Sequence, residues 1–281
     1  MTAPAVPLRP LGVAEVLDGA VRLVRRNPRA AFGFALPVAV VQAALVAVVL
    51  TTTYSAPALS TVSELLRLLV SLSAGTVLAG LFAPVVVSDV LGRPIPAGEA
   101  WRRSRGARGV LLLVVLGVVV ALAETLGLVL ALVGGIWLWG AWAVAGPALT
   151  VEGLGPVAAV RRSFRLTSPR FWRVWGVRAL GSVVTEVLGL LVTLPFSALA
   201  AYVGSVGFGQ STGDITHPAL FVTLTALGQL LAVALVAPIG ASIDGLIYVD
   251  LRMRVEGLDL VVAAPSSPPS PAPAPMPVSA W

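Results

Sequence analysis

The stretch from Pro147 to Arg173, PALTVEGLGPVAAVRRSFRLTSPRFWR, decides how this chain is read. It closes one long apolar run, turns between glycines, and enters the next run through Arg161, Arg162, Arg165, Arg170 and Arg173. Val157, Val160 and Phe164 recur at helical spacing among those arginines, so the segment carries an apolar edge beside a basic one. A basic, amphipathic joint between two apolar runs has the composition of a junction on the cytoplasmic side of a membrane.

Composition agrees with that reading. Of 281 residues, 57% are hydrophobic and 11% are charged, against roughly 25% charged in an average soluble domain. A formal charge of +6 would suggest nucleic acid on a soluble fold. Here the arginines lie between apolar runs, so membrane lipids with anionic headgroups are the expected partners and nucleic acid is not. A protein partner or a second copy of the chain is compatible with the same surface. The chain has no cysteine and no lysine, and His217 is its one histidine. Disulfides, thiolate chemistry, a P-loop lysine, Schiff bases and histidine-rich metal sites are therefore not expected, and no cofactor is implied. The N-terminus lacks a charged region leading directly into an apolar core, so the first apolar run is expected to be a retained helix.

The fold class expected is all-α: a polytopic membrane protein with six transmembrane helices arranged as three hairpins, each preceded by a basic amphipathic segment. The spans fall at about 30–50, 66–91, 110–132, 135–151, 174–203 and 219–247. They lie in a membrane domain over 30–260, with a cytoplasmic N-terminus over 1–29 and a Pro-rich, disordered cytoplasmic tail over 261–281. Within 1–29, the polar residues Glu15, Asp18, Arg22, Arg25 and Arg26 alternate with Leu17, Ala20, Val21 and Val24 at spacings of three and four. That helix either lies in the membrane interface or packs on its own protein. Ser71, Gly75, Ala79 and Ala83 form a small stripe, read as helix packing. Trp137, Trp139 and Trp142 are expected at the outer interface, and Arg178 is expected to snorkel to the inner one. The outer loops hold no arginine, which predicts both termini in the cytoplasm of a bacterial inner membrane.

An internal repeat is legible. Pro84 to Gly92 aligns with Pro147 to Gly155, Pro238 to Asp244 aligns with one extra residue, and Ala100 to Ser104 aligns with Ala159 to Ser163. The helix-closing acids Asp89, Glu152 and Asp244 are read as partners of nearby arginines, with Arg102, Arg103, Arg161 and Arg162 as candidates. Arg22, Arg25, Arg26, Arg165 and Arg170 are read as contacts to anionic lipid. Gln42, Glu124 and Glu186 each follow an arginine, Arg26, Arg108 or Arg170, by sixteen residues. Sixteen residues are about 24 Å of helix, so the three groups share a depth. An ionisable group there costs roughly 2.5 kcal/mol or more to insert. Several explanations stay open: Glu124 and Glu186 are protonated by burial, are bonded to Thr125, Thr185 or a backbone carbonyl, or lie nearer the outer interface, or the three groups converge in a polar cluster that serves transport, proton relay or a ligand.

Catalytic motifs are missing. Gly240-Ala-Ser-Ile-Asp244 lacks the last glycine of a nucleophile elbow, and Gly204-Ser-Val-Gly-Phe-Gly209 lacks the strand and helix that give a phosphate loop its meaning.

Three separated segments, RPLGVAEVLDGAVRLVRRNPRA, VEGLGPVAAVRRSFRLTSPRFWRV and YVDLRMRVEGLDL, occur in the order seen in a known family. Over residues 9–260 the chain resembles bacterial, especially actinobacterial, integral membrane proteins labelled as the membrane domain of glycerophosphoryl diester phosphodiesterases. The resemblance implies a membrane module that can accompany a soluble phosphodiesterase domain. The catalytic domain of that name relies on histidines and metal-binding carboxylates that this chain lacks, so no catalytic residue is carried over. The expectation is a non-catalytic interaction or lipid-associated module, with a small transporter or channel subunit as the alternative.

Overall fold

The computed structural model describes residues 9–130, 132–205 and 217–257. In chain order the helices are α1 (Val13–Arg26), α2 (Pro28–Ser55), α3 (Ser60–Val90), α4 (Ala97–Arg103), α5 (Gly106–Leu130), α6 (Leu132–Ala141), α7 (Ala145–Val151), α8 (Pro156–Thr167), α9 (Phe171–Ser205) and α10 (Pro218–Glu256), and single 3-10 turns at Pro57–Leu59 and Ser168–Arg170 complete the secondary structure. No strand occurs among the described residues. Five helical segments are long and apolar enough to cross a membrane: Pro28–Thr53, Ser60–Val90, Gly106–Leu128, Pro156–Val203 and Pro218–Glu256. The Pro-rich tail over 261–281 lies outside the described residues.

Local sequence explains where helices start and stop. Proline opens α2, α8 and α10, where its missing N–H costs nothing. Two residues past α3 and α7, Gly92 and Gly153 take left-handed backbone at φ 71° and 69°, and Gly257 ends α10 the same way at φ 63°.

The segment expected to be one short span, 135–151, is instead two helices separated by a turn at 142–144. An unbroken helix would press the Pro147 ring on the Ala143 carbonyl four residues earlier and leave that carbonyl without a donor. The chain breaks there, and α8 caps the break. Val144 N–H donates to Ser163 Oγ at 3.3 Å, while the hydroxyls of Ser163 and Thr167 donate to the Ala141 carbonyl at 3.0 Å each. Both residues are fully buried. Pro84, inside α3, frees the Gly80 carbonyl in the same way, and the Thr150 hydroxyl of α7 donates to it at 2.8 Å. The two helices can come that close because glycines meet: a Cβ on Gly146 would sit 2.5 Å from the Thr76 carbonyl oxygen.

The largest core lies at one end of the bundle. Tyr248, Leu246, Leu251 and Met253 of α10 pack there on Leu23 and Ala20 of α1, Ala31 and Ala35 of α2, and Phe82 and Val86 of α3. The apolar face of α1, with Val16, Leu23 and Val24, is buried in this core, which settles its packing in favour of its own protein. Backbone groups of Leu11 are pinned in the same place: its N–H donates to Asp250 at 2.7 Å and its carbonyl accepts from Arg254 at 2.9 Å and from Arg173. The start of the described chain and the end of α10 therefore share one end of the bundle. α9 leans on α10 and leaves Val183, Val187, Leu190 and Leu191 exposed.

Candidate functional site

A cavity of about 520 Å³ opens between α3 and α9, backed by α10 and touched by α2 and α6. Its walls carry polar side chains in helices that are otherwise apolar: Gln42 from α2, Arg67 and Ser71 from α3, Arg178, Ser182, Thr185, Glu186 and Thr193 from α9, and Gln229 and Asp244 from α10. Glycines and alanines widen it, since a Cβ on Gly75 or Gly189 would meet nothing within 4 Å. The register of the helices orders the walls. Gly181 faces Ile243 and Gly228 faces Phe196, so α9 and α10 run antiparallel, and Gly245 faces Val86. Arg67, Thr193 and Gln229 stand at one end, Glu186 and Gln42 between, and Arg178 with Asp244 at the other. From Arg178 to Thr193 the cavity follows fifteen residues of α9, about 22 Å.

The Arg178 end of the cavity is closed by a paired charge. Arg178 Nε lies 3.1 Å from Asp244 Oδ1, its guanidinium also donates to the Trp139 carbonyl, and it stacks over the Trp139 ring at 4.6 Å to the centroid. Arg178 is thus held inside the bundle, with its side chain 14% exposed, and does not snorkel as expected. The reason is that Asp244 and Trp139 offer it a closer set of partners than water. At the other end Arg67 pairs with Glu64 at 2.6 Å. Glu186, between them, is exposed and has no hydrogen-bond or ion-pair partner among the described residues.

A second chamber of about 300 Å³ adjoins the first, and Trp139 lines both. It is walled by Leu68, Leu72, Leu128, Ile136 and Trp175, with Glu124 and Thr125 as its polar members. Glu124 is 8% exposed and has no hydrogen-bond partner among the described residues. The Thr125 hydroxyl and the Trp175 indole nitrogen are also buried without a hydrogen bond. Arg178 and Asp244 are near enough for their charges to act on the Glu124 carboxyl.

The three groups placed at equal depth by the sixteen-residue spacing thus divide. Gln42 and Glu186 line the polar cavity, and Glu124 lines the apolar chamber beside it. The small stripe divides too: Ala79 and Ala83 are buried in packing, while Ser71 and Gly75 line the cavity. Trp137 and Trp139 do not stand away from the arginine-rich junction. Trp137 packs on Phe164 and Phe171, and Trp139 on Trp175. The broken fourth helix is the cause, because α6 is too short to carry its tryptophans past the start of α9.

The closing acids have arginine neighbours. Asp89, 1% exposed, accepts from Asn27 at 3.1 Å and lies 3.6 Å from Arg26. Glu152 takes Arg162 at 2.8 Å and the Tyr248 hydroxyl at 2.8 Å, and Arg162 continues to Glu256 at 2.5 Å. Arg103 pairs with Glu99 at 2.6 Å, whereas Arg102 and Arg161 are exposed with no acid partner among the described residues. Arg22 pairs with Asp18 at 2.7 Å; Arg25, Arg165 and Arg170 are exposed. Asp250, Arg254, Arg67 and Gln229 were not singled out from sequence. Asp250 and Arg254, one helical turn apart, and Arg67, three residues after Glu64, left spacings that could have revealed them.

Comparison of the chain with family models, with curated proteins and with solved structures gives no match.

Proposed function

We propose that this chain is a six-pass protein of the bacterial inner membrane, with both termini in the cytoplasm, that acts as a non-catalytic, lipid-associated binding module. The observation that carries the proposal is the meeting of a polar cavity and an apolar chamber at Trp139. A small polar solute would use only the first, and a plain hydrocarbon only the second. A lipid presents both surfaces at once.

Parity supports six passes. Leu11 bonds Asp250, Asn27 bonds Asp89, Arg105 bonds the Gly153 carbonyl and Tyr248 bonds Glu152, so the starts of α2 and α5 and the ends of α3, α7 and α10 gather at one end. Five crossings would separate them; α6 and α7 together supply the sixth as a broken helix. The exposed arginines Arg25, Arg161, Arg165 and Arg170 belong to this end, and the positive-inside rule makes it cytoplasmic. The exposed face of α8 and the turn into α9 combine Arg161, Arg165 and Arg170 with Phe164, Val157 and Trp172, at 42%, 68% and 79% exposure, a mixture suited to an anionic lipid surface. The family resemblance and the threefold order of a short helix before each pair of spans point the same way.

The test is lipid retention. Full-length protein extracted in mild detergent is expected to carry lipid that mass spectrometry detects, and Leu72→Trp, which fills the apolar chamber, is expected to lose it while staying folded. Equal lipid in both proteins would refute the binding role. The unpaired Glu124 and Glu186 favour a second reading, a small transporter. If a Glu124→Gln, Glu186→Gln double variant inserts stably and keeps the whole physiological function, that reading is excluded.

A further inference from the structure

From the distribution of charge in the polar cavity, we infer that the bound lipid carries a positively charged ammonium group, which Glu186 holds while the apolar chain lies in the chamber behind Trp139. The inference rests on the lipid-binding proposal and narrows it to a chemical class.

Three kinds of charge face the cavity. Arg67 is already neutralised by Glu64 at 2.6 Å. Arg178 is neutralised by Asp244 at 3.1 Å and further occupied by the Trp139 carbonyl and ring. The carboxyl of Glu186 alone has no partner among the described residues, and it stands between the other two on the wall of the cavity. An anionic headgroup would have to displace one acid from its arginine before it could bind, and its charge would then face Glu186. An ammonium needs no displacement. It donates a charge-assisted hydrogen bond to the carboxylate, and Gln42, on the same middle stretch of the cavity, offers an amide oxygen as an acceptor of neutral charge.

The apolar chamber separates a lipid amine from a soluble one. Its walls are aliphatic and aromatic, it adjoins the polar cavity through the Trp139 side chain, and it has the size to receive part of an acyl chain. A soluble amine would leave it unused.

The test is native mass spectrometry of the purified full-length chain, equilibrated with equimolar phosphatidylethanolamine, its N-acetyl derivative and phosphatidylglycerol. The N-acetyl lipid differs from its parent by the loss of the positive charge. Wild type is expected to retain phosphatidylethanolamine about tenfold over the N-acetyl form. Glu186→Gln is expected to abolish the preference, and Glu186→Asp to restore part of it; Glu186 is exposed, so neither change disturbs packing. Equal retention of the two lipids by wild type, with Leu72→Trp lowering both, would overturn the ammonium inference and leave lipid binding standing. A preference that survives Glu186→Gln would also overturn it. Displacement of the lipid by millimolar ethanolamine would assign the cavity to a soluble amine. A lipid-free dimer in every mixture would assign the crevice to a second copy.

Discussion

Removing Asp244 should destabilise the protein because it strands Arg178. The two side chains are 14% and 12% exposed, between the limits of a surface pair and a buried one. A surface ion pair contributes about 0–1 kcal/mol, whereas breaking a buried pair by losing one member costs about 3–5 kcal/mol. One side of this pair faces the cavity, so the desolvation of the stranded charge is incomplete. A cost of about 2–3 kcal/mol follows for Asp244→Leu. Arg178→Leu should cost as much or slightly more, because it also removes the donor to the Trp139 carbonyl and the cation above the Trp139 ring, an interaction of about 0.5–2 kcal/mol.

The double variant is the deciding measurement. Two leucines strand no charge, so the pair together should cost little beyond the lost Trp139 contacts, about 0.5–2 kcal/mol, and the coupling energy should be about 2 kcal/mol or more. Unfolding in mixed micelles of dodecyl maltoside and increasing dodecyl sulfate, followed by circular dichroism, supplies the four free energies. Single variants that unfold with wild type, or a double variant whose loss is the sum of the singles, would refute the account of this end of the cavity.

Other outcomes follow from the same packing. Thr150→Val should cost about 1 kcal/mol in wild type and less in a Pro84→Ala background, where the Gly80 carbonyl regains a helical donor; equal losses in both backgrounds would remove the explanation. Gly146→Ala should destabilise by more than about 2 kcal/mol in the same unfolding assay, since its Cβ would sit 2.5 Å from a backbone oxygen of α3; neutral behaviour would place α7 elsewhere. Because the chain has no cysteine, single cysteines report topology without background. In intact spheroplasts an impermeant maleimide should modify Ser55→Cys and His217→Cys and spare Arg25→Cys and Arg161→Cys, and labelling of the last two would invert or break the six-pass arrangement.

How much of this was legible in the sequence depends on whether a feature lies along a helix or around it. The apolar runs at 30–50, 174–203 and 219–247 lie inside α2, α9 and α10, while 66–91 ends one residue past α3 and 110–132 begins in α5 and ends on the first residue of α6; length and hydropathy are one-dimensional properties. The break at 142–144 was missed although Pro147 was in view. Pro84 and Pro238 show why: the same residue leaves α3 and α10 continuous, and the outcome turns on what neighbouring chains supply. Ser163 and Thr167 supply the partners that stabilise an opened backbone, and nothing in their own spacing says that they reach Ala141. The fate of Arg178 was hidden for the same reason, since its partners lie 66 and 39 residues away.

The sixteen-residue spacing is the instructive case. It measures depth, and depth alone places Gln42, Glu124 and Glu186 on one level. Which wall each group joins depends on azimuth, set by how each helix is turned against its neighbours. α2 and α9 turn Gln42 and Glu186 toward α10, into a space kept open by Gly75 and Gly189. α5 is locked in another orientation by α6, where a Cβ on Gly135 would lie 2.6 Å from the Leu128 nitrogen. That contact turns Glu124 toward Leu68, Leu72 and Trp175. A threefold pattern in the sequence therefore yields a twofold polar cavity and one displaced carboxyl. The displacement sets an apolar chamber beside the polar cavity, because the hairpin that carries Glu124 is the one whose return helix is broken.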